Sequence, residues 1–152
     1  MSITRRDVLS SVPAMAAGTA LAGLLSALSA EAQSSNVLPS AVFPFDKLEV
    51  HASETAQIRP ILKGKLATGE SIEVHETTLP PGGAPHPAHH HEHTEMWLIR
   101  EGTVELTIEG KKHRLSGGSL GFVRSNDEHG ITNPSDKPAT YFVVAVGPGS
   151  DA

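Results

Sequence analysis

Short runs of apolar and β-branched residues, interrupted by Gly and Pro, fill the chain from Ile58 onward. Runs of this kind predict strands separated by turns. No stretch after Leu28 has the spacing of an amphipathic helix. The pattern therefore predicts an all-β fold in which short antiparallel strands form a sandwich or a barrel. The predicted strands are ESIEVHETTL, TEMWLIR, TVELTIE, KHRL, SLGFV, HGITN and TYFVVAV.

The N-terminal 32 residues follow a different pattern. Arg5 and Arg6 precede a weakly apolar run over residues 8–28, and residues 30–32 (Ala-Glu-Ala) resemble a cleavage site. These features predict a secretory signal peptide over residues 1–32, and the paired arginines predict the twin-arginine export route. The run is rich in Gly and Ser for a transmembrane helix; a membrane anchor or a disordered arm is the alternative. We expect a periplasmic or secreted protein with no stable membrane span after cleavage.

The composition excludes several classes of function. The chain has no cysteine, which rules out disulfides, thiol catalysis and thiolate metal sites. Lys and Arg number 12 against 17 Asp and Glu, for a formal net charge of −5, without any basic block. This balance argues against nucleic-acid binding. Residues 33–55 are predicted to be an N-terminal tether and lead-in segment, and residues 56–152 a single folded domain.

Five of the nine histidines lie within residues 86–93. Residues two apart share one face of a strand, so a regular strand places His89, His91 and Glu95 together. His129 lies on a separate predicted strand and can approach them across the interior of a barrel. Imidazole nitrogens and a carboxylate oxygen suit a divalent first-row metal. The pattern predicts a site for one Mn, Fe, Co, Ni, Cu or Zn ion; a low-complexity, metal-binding His tract is the alternative.

The same residues resemble the two sequence motifs of the cupin superfamily. The first motif is Gly, five residues, His-x-His, three or four residues, Glu, six residues, Gly, and residues 83–102 match every position. The second is Gly, five residues, Pro-x-Gly, two residues, His, three residues, Asn. Residues 118–133 match it, except that Arg124 stands for Pro and Asn126 for Gly. The resemblance covers roughly residues 70–146.

This resemblance implies a fold, a metal site and a range of activities. The fold is the antiparallel jelly-roll β-barrel of a small, single-domain, type-2 bacterial cupin, here over residues 56–152. The implied ligands of one divalent metal are His89, His91, Glu95 and His129. The implied activities are dioxygenases that cleave a diol or diketone, oxalate decarboxylases or oxidases, and metal-dependent lyases or isomerases. We expect an exported oxidoreductase or lyase acting on a small metal-chelating molecule; a non-catalytic cupin that binds metal or a small ligand is the alternative.

The residues around the implied ligands have less definite roles. Because Glu95 is expected to bind the metal, a separate acid–base group is needed. His93, which shares the parity of the ligands, and Glu92 are the candidates. His90 is expected to face outward. The sequence leaves open the roles of the remaining nearby histidines, His75 and His86.

The outer face of the strand around Glu95 predicts an interface. Trp97 and Ile99 continue the inward parity of Glu95, which leaves Met96 and Leu98 facing outward. Apolar residues on the open face of a sheet indicate a covered surface. Since homodimers are common among cupins, the resemblance implies a homodimer through this face.

Overall fold

The computed structural model of the protein describes residues 37–150, so the predicted signal peptide lies outside the described residues. Within this range the chain forms nine strands and a single 3₁₀ turn over Phe45–Lys47. All pairs among the nine strands are antiparallel, which confirms the predicted fold class. The strands are β1 (His51–Ala52), β2 (Gln57–Lys65), β3 (Ser71–Leu79), β4 (Thr94–Glu101), β5 (Thr103–Ile108), β6 (Lys111–Ser116), β7 (Leu120–Val123), β8 (His129–Thr132) and β9 (Ala139–Val146).

The strands form two sheets that share one core. The larger sheet has the order β1-β2-β3-β9-β4-β7, and the smaller has the order β6-β5-β8. Both sheets contribute buried apolar side chains to the same cluster, for example Trp97 from β4 and Leu106 from β5. None of the helical turns in residues 37–150 is long and apolar enough to cross a membrane.

Alternation along the strands separates the inner face of the larger sheet from its outer face. On β4, Trp97 and Ile99 are each 3% exposed, whereas Leu98 between them is 43% exposed. Leu120 and Phe122 on the neighbouring β7 are each 57% exposed. The register pairs Leu98 with Leu120. The apolar residues of β4 and β7 thus form a continuous patch, which we call the outer apolar face.

The backbone of two motif positions explains their residue types. Gly102, which closes the first motif, has φ +78°, and a Cβ there would lie 2.6 Å from the carbonyl oxygen of Pro138 and 2.7 Å from the Cα of Ala139. Only glycine fits so close an approach of two backbones. Asn126, which replaces the motif glycine, has φ +66°. Asparagine is among the few other residues that adopt this left-handed conformation, so the departure preserves the turn.

Asn133, the last motif position, ties three chain segments together. Its side chain is completely buried. The amide nitrogen donates hydrogen bonds to the carbonyl oxygens of Leu79, Pro80 and Lys137, at 3.1, 3.1 and 2.7 Å. Its amide oxygen accepts bonds from the backbone N–H and hydroxyl of Ser135. Asn133 therefore joins the end of β3 to the loop before β9.

Candidate metal centre

The two histidines of the first motif, His89 and His91, lie in the segment before β4 and not on that strand. The main-chain N–H of His89 donates to the carbonyl oxygen of His129 at 2.9 Å, and the reverse bond measures 2.8 Å. The N–H of Asn126 donates to the carbonyl oxygen of His91 at 2.8 Å. The expectation of one regular strand from His89 through Glu95 was wrong, because these backbone groups bond to β8 and the loop before it.

These bonds bring three of the four implied ligands together. The ring centroids of His89, His91 and His129 lie 4.7–5.2 Å from one another. One ring nitrogen of each lies within 4.8 Å of the other two. His129 is 2% exposed, at the start of β8. We call these residues the histidine cluster. Their convergence depends on the bridge between β8 and the loop before β4, not on a shared strand.

Glu95, the fourth implied ligand, reaches the same cluster from β4. One carboxylate oxygen lies 3.4 Å from Nε2 of His91, and the other lies 3.4 Å from Nε2 of His129. These separations exceed the usual N–H···O hydrogen-bond length of about 2.9 Å. The carboxylate therefore borders the cluster without closing it by direct hydrogen bonds. The structure thus places all four residues at one site.

His93 and Glu92, the candidate acid–base residues, occupy different environments. The ring of His93 stacks on that of His91, with centroids 3.5 Å apart, and its Nε2 lies 3.4 Å from Glu95. His91, His93 and Glu95 thus form a second trio whose donor atoms lie within 4.8 Å of one another. Glu92 is exposed and belongs to neither group of donor residues. Only His93 is placed beside the cluster, and its position suits an additional ligand as well as an acid–base group.

The donor atoms of the cluster fit a bound metal. Among the described residues, Nδ1 of His89 and Nε2 of His91 and His129 are buried without a hydrogen-bond partner. Nδ1 of His91 donates to the carbonyl oxygen of His93 at 3.0 Å, and Nδ1 of His129 donates to that of Asp127 at 2.9 Å. Such bonds fix the tautomer and leave Nε2 with its lone pair free, as metal-binding histidines require. Buried polar atoms without a partner are costly, and a metal would satisfy them.

Burial and mutual charge set the protonation of the site. Burial lowers the pKa of His89 and of His91, and neighbouring histidines lower it further at both positions. Burial alone would raise the pKa of Glu95, but the adjacent histidines outweigh it and lower that pKa. Burial alone would lower the pKa of His129, but the Glu95 carboxylate outweighs it and raises that pKa. In the metal-free protein, His129 is therefore the cluster member that keeps its proton to the highest pH.

We expect zinc binding to release a proton from His129. A ligating imidazole must be neutral, and the raised pKa of His129 means that its proton competes with the metal. Zinc affinity should fall as the pH is lowered through and below the ordinary imidazole range near 6.5. Calorimetric zinc titrations in buffers of different ionisation enthalpy, at pH about 6 and about 8, measure the zinc affinity and the number of protons released. Proton release near zero and equal affinities at the two pH values would contradict this assignment.

A cavity of about 130 Å³ lies beside the cluster on the inner face of the larger sheet. Polar groups reach it from two sides: Glu95 and His129 from the candidate metal centre, and His75, Thr77 and Tyr141 from β3 and β9. Burial raises the pKa of the Tyr141 phenol, so this side chain is neutral. The remaining lining residues are Ile58, Pro85, His86, Trp97, Gly130, Ile131 and Val143.

The structure resolves the histidines whose roles the sequence left open. His90 is exposed, as expected. His86 packs edge-on against His89, with ring centroids 4.2 Å apart, and lines the mouth of the cavity. His75 lies on the inner face of β3 and lines the cavity wall. The sequence left the role of His75 open, and its alternation with Thr77 on one strand face was a usable signal for the cavity position.

Comparisons with known proteins agree with this geometry. Residues 75–145 match the Cupin domain family. An L-ectoine synthase from Bordetella petrii is 35% identical over 83 residues, which cover 53% of this chain and 59% of that enzyme. The matched segments span between 16% and 60% of the length of these curated relatives, so the chain covers less than two thirds of each.

Solved structures share the fold at low sequence identity. An RmlC-like cupin from Shewanella frigidimarina has a TM-score of 0.60 at 18% identity, over 74% of this chain and 96% of that chain. A predicted oxalate decarboxylase from Thermotoga maritima has a TM-score of 0.59 at 17% identity, over 70% of this chain and 98% of that one. These likenesses confirm the predicted jelly roll. The described domain therefore has the cupin fold, with its match to the cupin family over residues 75–145.

Proposed function

We propose that this chain is an exported, metal-dependent enzyme that acts on a small, metal-chelating organic molecule, by dioxygenase-like or oxalate-decarboxylase-like chemistry. One observation carries the proposal: three buried imidazole nitrogens without partners and a carboxylate converge at the wall of a cavity of about 130 Å³. A site that served only to stabilise the fold would be closed on all sides. Here two of the four donor residues, Glu95 and His129, line a space that a ligand can enter.

The residues of such a site would have different roles. The cluster and Glu95 would hold one divalent metal, which supplies Lewis acidity or access to dioxygen when bound. His129 and His91 present fixed tautomers through their backbone hydrogen bonds. Trp97, Ile131 and Val143 give the cavity an apolar wall that excludes water. The site is thereby built to orient a ligand that shares its coordination with the protein.

The size of the cavity limits the substrate. A cavity of about 150 Å³ accommodates benzene, so the space here suits a molecule on the order of six non-hydrogen atoms. Compact acids and diols meet this limit, and one structural neighbour is a predicted oxalate decarboxylase. Bulky substrates such as sugar nucleotides do not fit inside. Small chelating acids are therefore better candidate substrates than bulky sugar nucleotides.

The function is tested on protein recovered from its own periplasm. Its metal is identified by elemental analysis, and the loaded protein is then given oxalate, catechol and short hydroxy acids while oxygen uptake and product formation are followed. We expect turnover of at least one such compound, abolished in His129→Ala. Metal-dependent binding of these compounds without any turnover would instead support the non-catalytic cupin.

Export is part of the proposal and has its own test. The paired arginines Arg5 and Arg6 precede the apolar run that predicts a signal peptide. Replacing both with lysine should block the twin-arginine route, which requires them, and retain the protein in the cytoplasm. Cell fractionation of the two forms measures this directly. Equal periplasmic amounts of both forms would remove export by this route from the proposal.

The outer apolar face supports the proposed homodimer. Leu98, Leu120 and Phe122 are each at least 43% exposed on adjacent strands, and contiguous exposed apolar surface marks an interaction site. A twofold pair would lay this face against its own copy. We expect light scattering at micromolar concentration to give a dimer for the wild type and a monomer for Leu120→Ser combined with Phe122→Ser. A monomeric wild type would contradict the proposal.

A further inference from the structure

A histidine–carboxylate pair lies on the inner face of β3. Nδ1 of His75 lies 2.8 and 3.0 Å from the two carboxylate oxygens of Glu73. The side chains are 21% and 24% exposed, so the pair is largely shielded from solvent. His75 lines the cavity beside the metal site. The pair belongs neither to the histidine cluster nor to the cupin motifs.

The hydrogen bond to Glu73 determines which ring nitrogen of His75 is free to interact with a ligand in the cavity. An ionised carboxylate can only accept hydrogen bonds, so Nδ1 carries the hydrogen and donates it. In the neutral imidazole, Nε2 is then an acceptor with a free lone pair. A group in the cavity that donates a hydrogen bond can pair with it. Glu73 thus positions the His75 ring, and His75 is the residue that would contact the ligand.

The register places this acceptor on the same sheet face as Glu95, two strands away from it. Val143 on β9 is paired with His75 on β3 and with Trp97 on β4. Neighbouring strands lie about 4.8 Å apart, so the backbones of His75 and Trp97 are roughly 10 Å apart across the inner face. Glu95 is one inner position before Trp97 on β4. Side chains reaching inward from both strands leave a gap that a compact ligand can bridge.

We propose that His75 is the second recognition point of the ligand and accepts a hydrogen bond from a hydroxyl group remote from the metal-chelating end. This inference rests on the proposed function, because the chelating end is held at the metal site. The ligand class that it selects is a short hydroxy acid with a further hydroxyl at its far end. A second carboxylate at that end has no hydrogen to donate to Nε2 of the neutral His75 and is disfavoured.

The same geometry gives His75 a proton-accepting role. A hydroxyl that donates to Nε2 can transfer its proton there, which leaves an alkoxide on the ligand and an imidazolium on His75. Both N–H groups of the imidazolium are then used, one by Glu73 and one by the alkoxide. The transfer needs no co-reactant. Glu73 stabilises the charge that forms on the ring, as a carboxylate does for a general-base histidine.

Binding of two matched acids tests the inference without knowledge of the natural substrate. Glycerate and lactate share the same chelating hydroxy acid, and only glycerate has a hydroxyl at the far carbon. The full 152-residue chain is loaded with zinc, which has no redox chemistry, and the dissociation constants are measured by calorimetry. We expect the wild type to bind glycerate about fivefold more tightly than lactate, the effect of one hydrogen bond.

Two phenylalanine variants complete the test. His75→Phe should bind both acids equally while keeping its zinc. His51→Phe is the matched control, since His51 is an exposed histidine on β1, 3.8 Å from the Glu49 carboxylate; it should keep the wild-type preference. Equal zinc-dependent binding of the two acids by the wild type, or a preference that persists in His75→Phe, overturns the role of His75 and leaves the metal-site proposal intact. Absence of zinc-dependent binding of either acid overturns the proposed function itself, and the inference with it.

Discussion

Replacing His129 with alanine is expected to cost the protein most of its bound metal. Nε2 of His129 is buried, has no hydrogen-bond partner, and lies among the donors of the cluster. Loss of a group that only orients a ligand lowers metal affinity about 10- to 100-fold. Loss of a direct ligand should therefore lower it by more than about 100-fold. His89→Ala should behave alike, since its loop position is bridged to His129.

A matched control separates a defined site from a metal-binding tract. His90 lies between His89 and His91 in sequence, yet its side chain is exposed. His90→Ala should keep the wild-type zinc stoichiometry and affinity. Titration of purified, metal-free proteins with zinc, followed by elemental analysis, gives both values. Similar losses from the His89, His90 and His129 variants would support the low-complexity tract and contradict the cupin-type site.

His93→Ala reports on the second trio. Like two residues of the cluster, His93 lies 3.4 Å from the Glu95 carboxylate, but its ring stacks on the ring of His91. If the metal is held by the cluster and Glu95, removal of His93 should lower zinc affinity less than about tenfold, in the range of a supporting residue. A loss of zinc affinity as large as that of His129→Ala would instead assign the metal to His91, His93 and Glu95.

Replacing Asn133 with alanine is expected to destabilise the domain by about 3–5 kcal/mol. The substitution removes one donor group that satisfies three backbone carbonyls at 2.7–3.1 Å. A buried carbonyl left without its partner costs about 1–3 kcal/mol, less where water can replace the lost donor. Chemical unfolding of the metal-free variant measures the loss without a contribution from bound metal.

Two neighbouring substitutions calibrate the Asn133 result. Ser135→Ala removes only the hydroxyl that donates to the amide oxygen of Asn133 at 2.7 Å and should cost about 1 kcal/mol. Thr132→Ala, at an exposed position of β8, should change the unfolding free energy by less than about 0.5 kcal/mol. An Asn133→Ala variant as stable as Thr132→Ala would show that water replaces the three bonds without loss.

The fold could be predicted from the sequence because its signals are local. Alternation along β4 and β9 marks the inner and outer faces, and turn residues mark the junctions. Gly102 shows why a motif position can be specific: its backbone approaches Pro138 too closely for a side chain. The convergence of His89, Glu95 and His129 was suggested by spacing that matches a family motif, which encodes the fold along with the ligands.

Other features depend on contacts between segments distant in sequence. The loop conformation of His89 and His91 follows from backbone bonds to β8 and the preceding loop, which no local pattern reveals. The cavity role of His75 depends on which strand lies next to β3, and that neighbour, β9, lies at the far end of the chain. The predicted export signal falls outside the described residues and stays a prediction.

The alternation of β4 has a consequence for how the protein responds to its surroundings. Glu95 and Trp97 face the cavity beside the histidine cluster, while Met96 and Leu98 belong to the outer apolar face of the same strand. A displacement of β4 by a few tenths of an ångström would therefore alter the donor geometry and the outer surface together. Two binding equilibria that act on one element are thermodynamically linked, and the linkage is reciprocal. Whatever covers the outer face would tune metal affinity, and metal loading would tune that association in return.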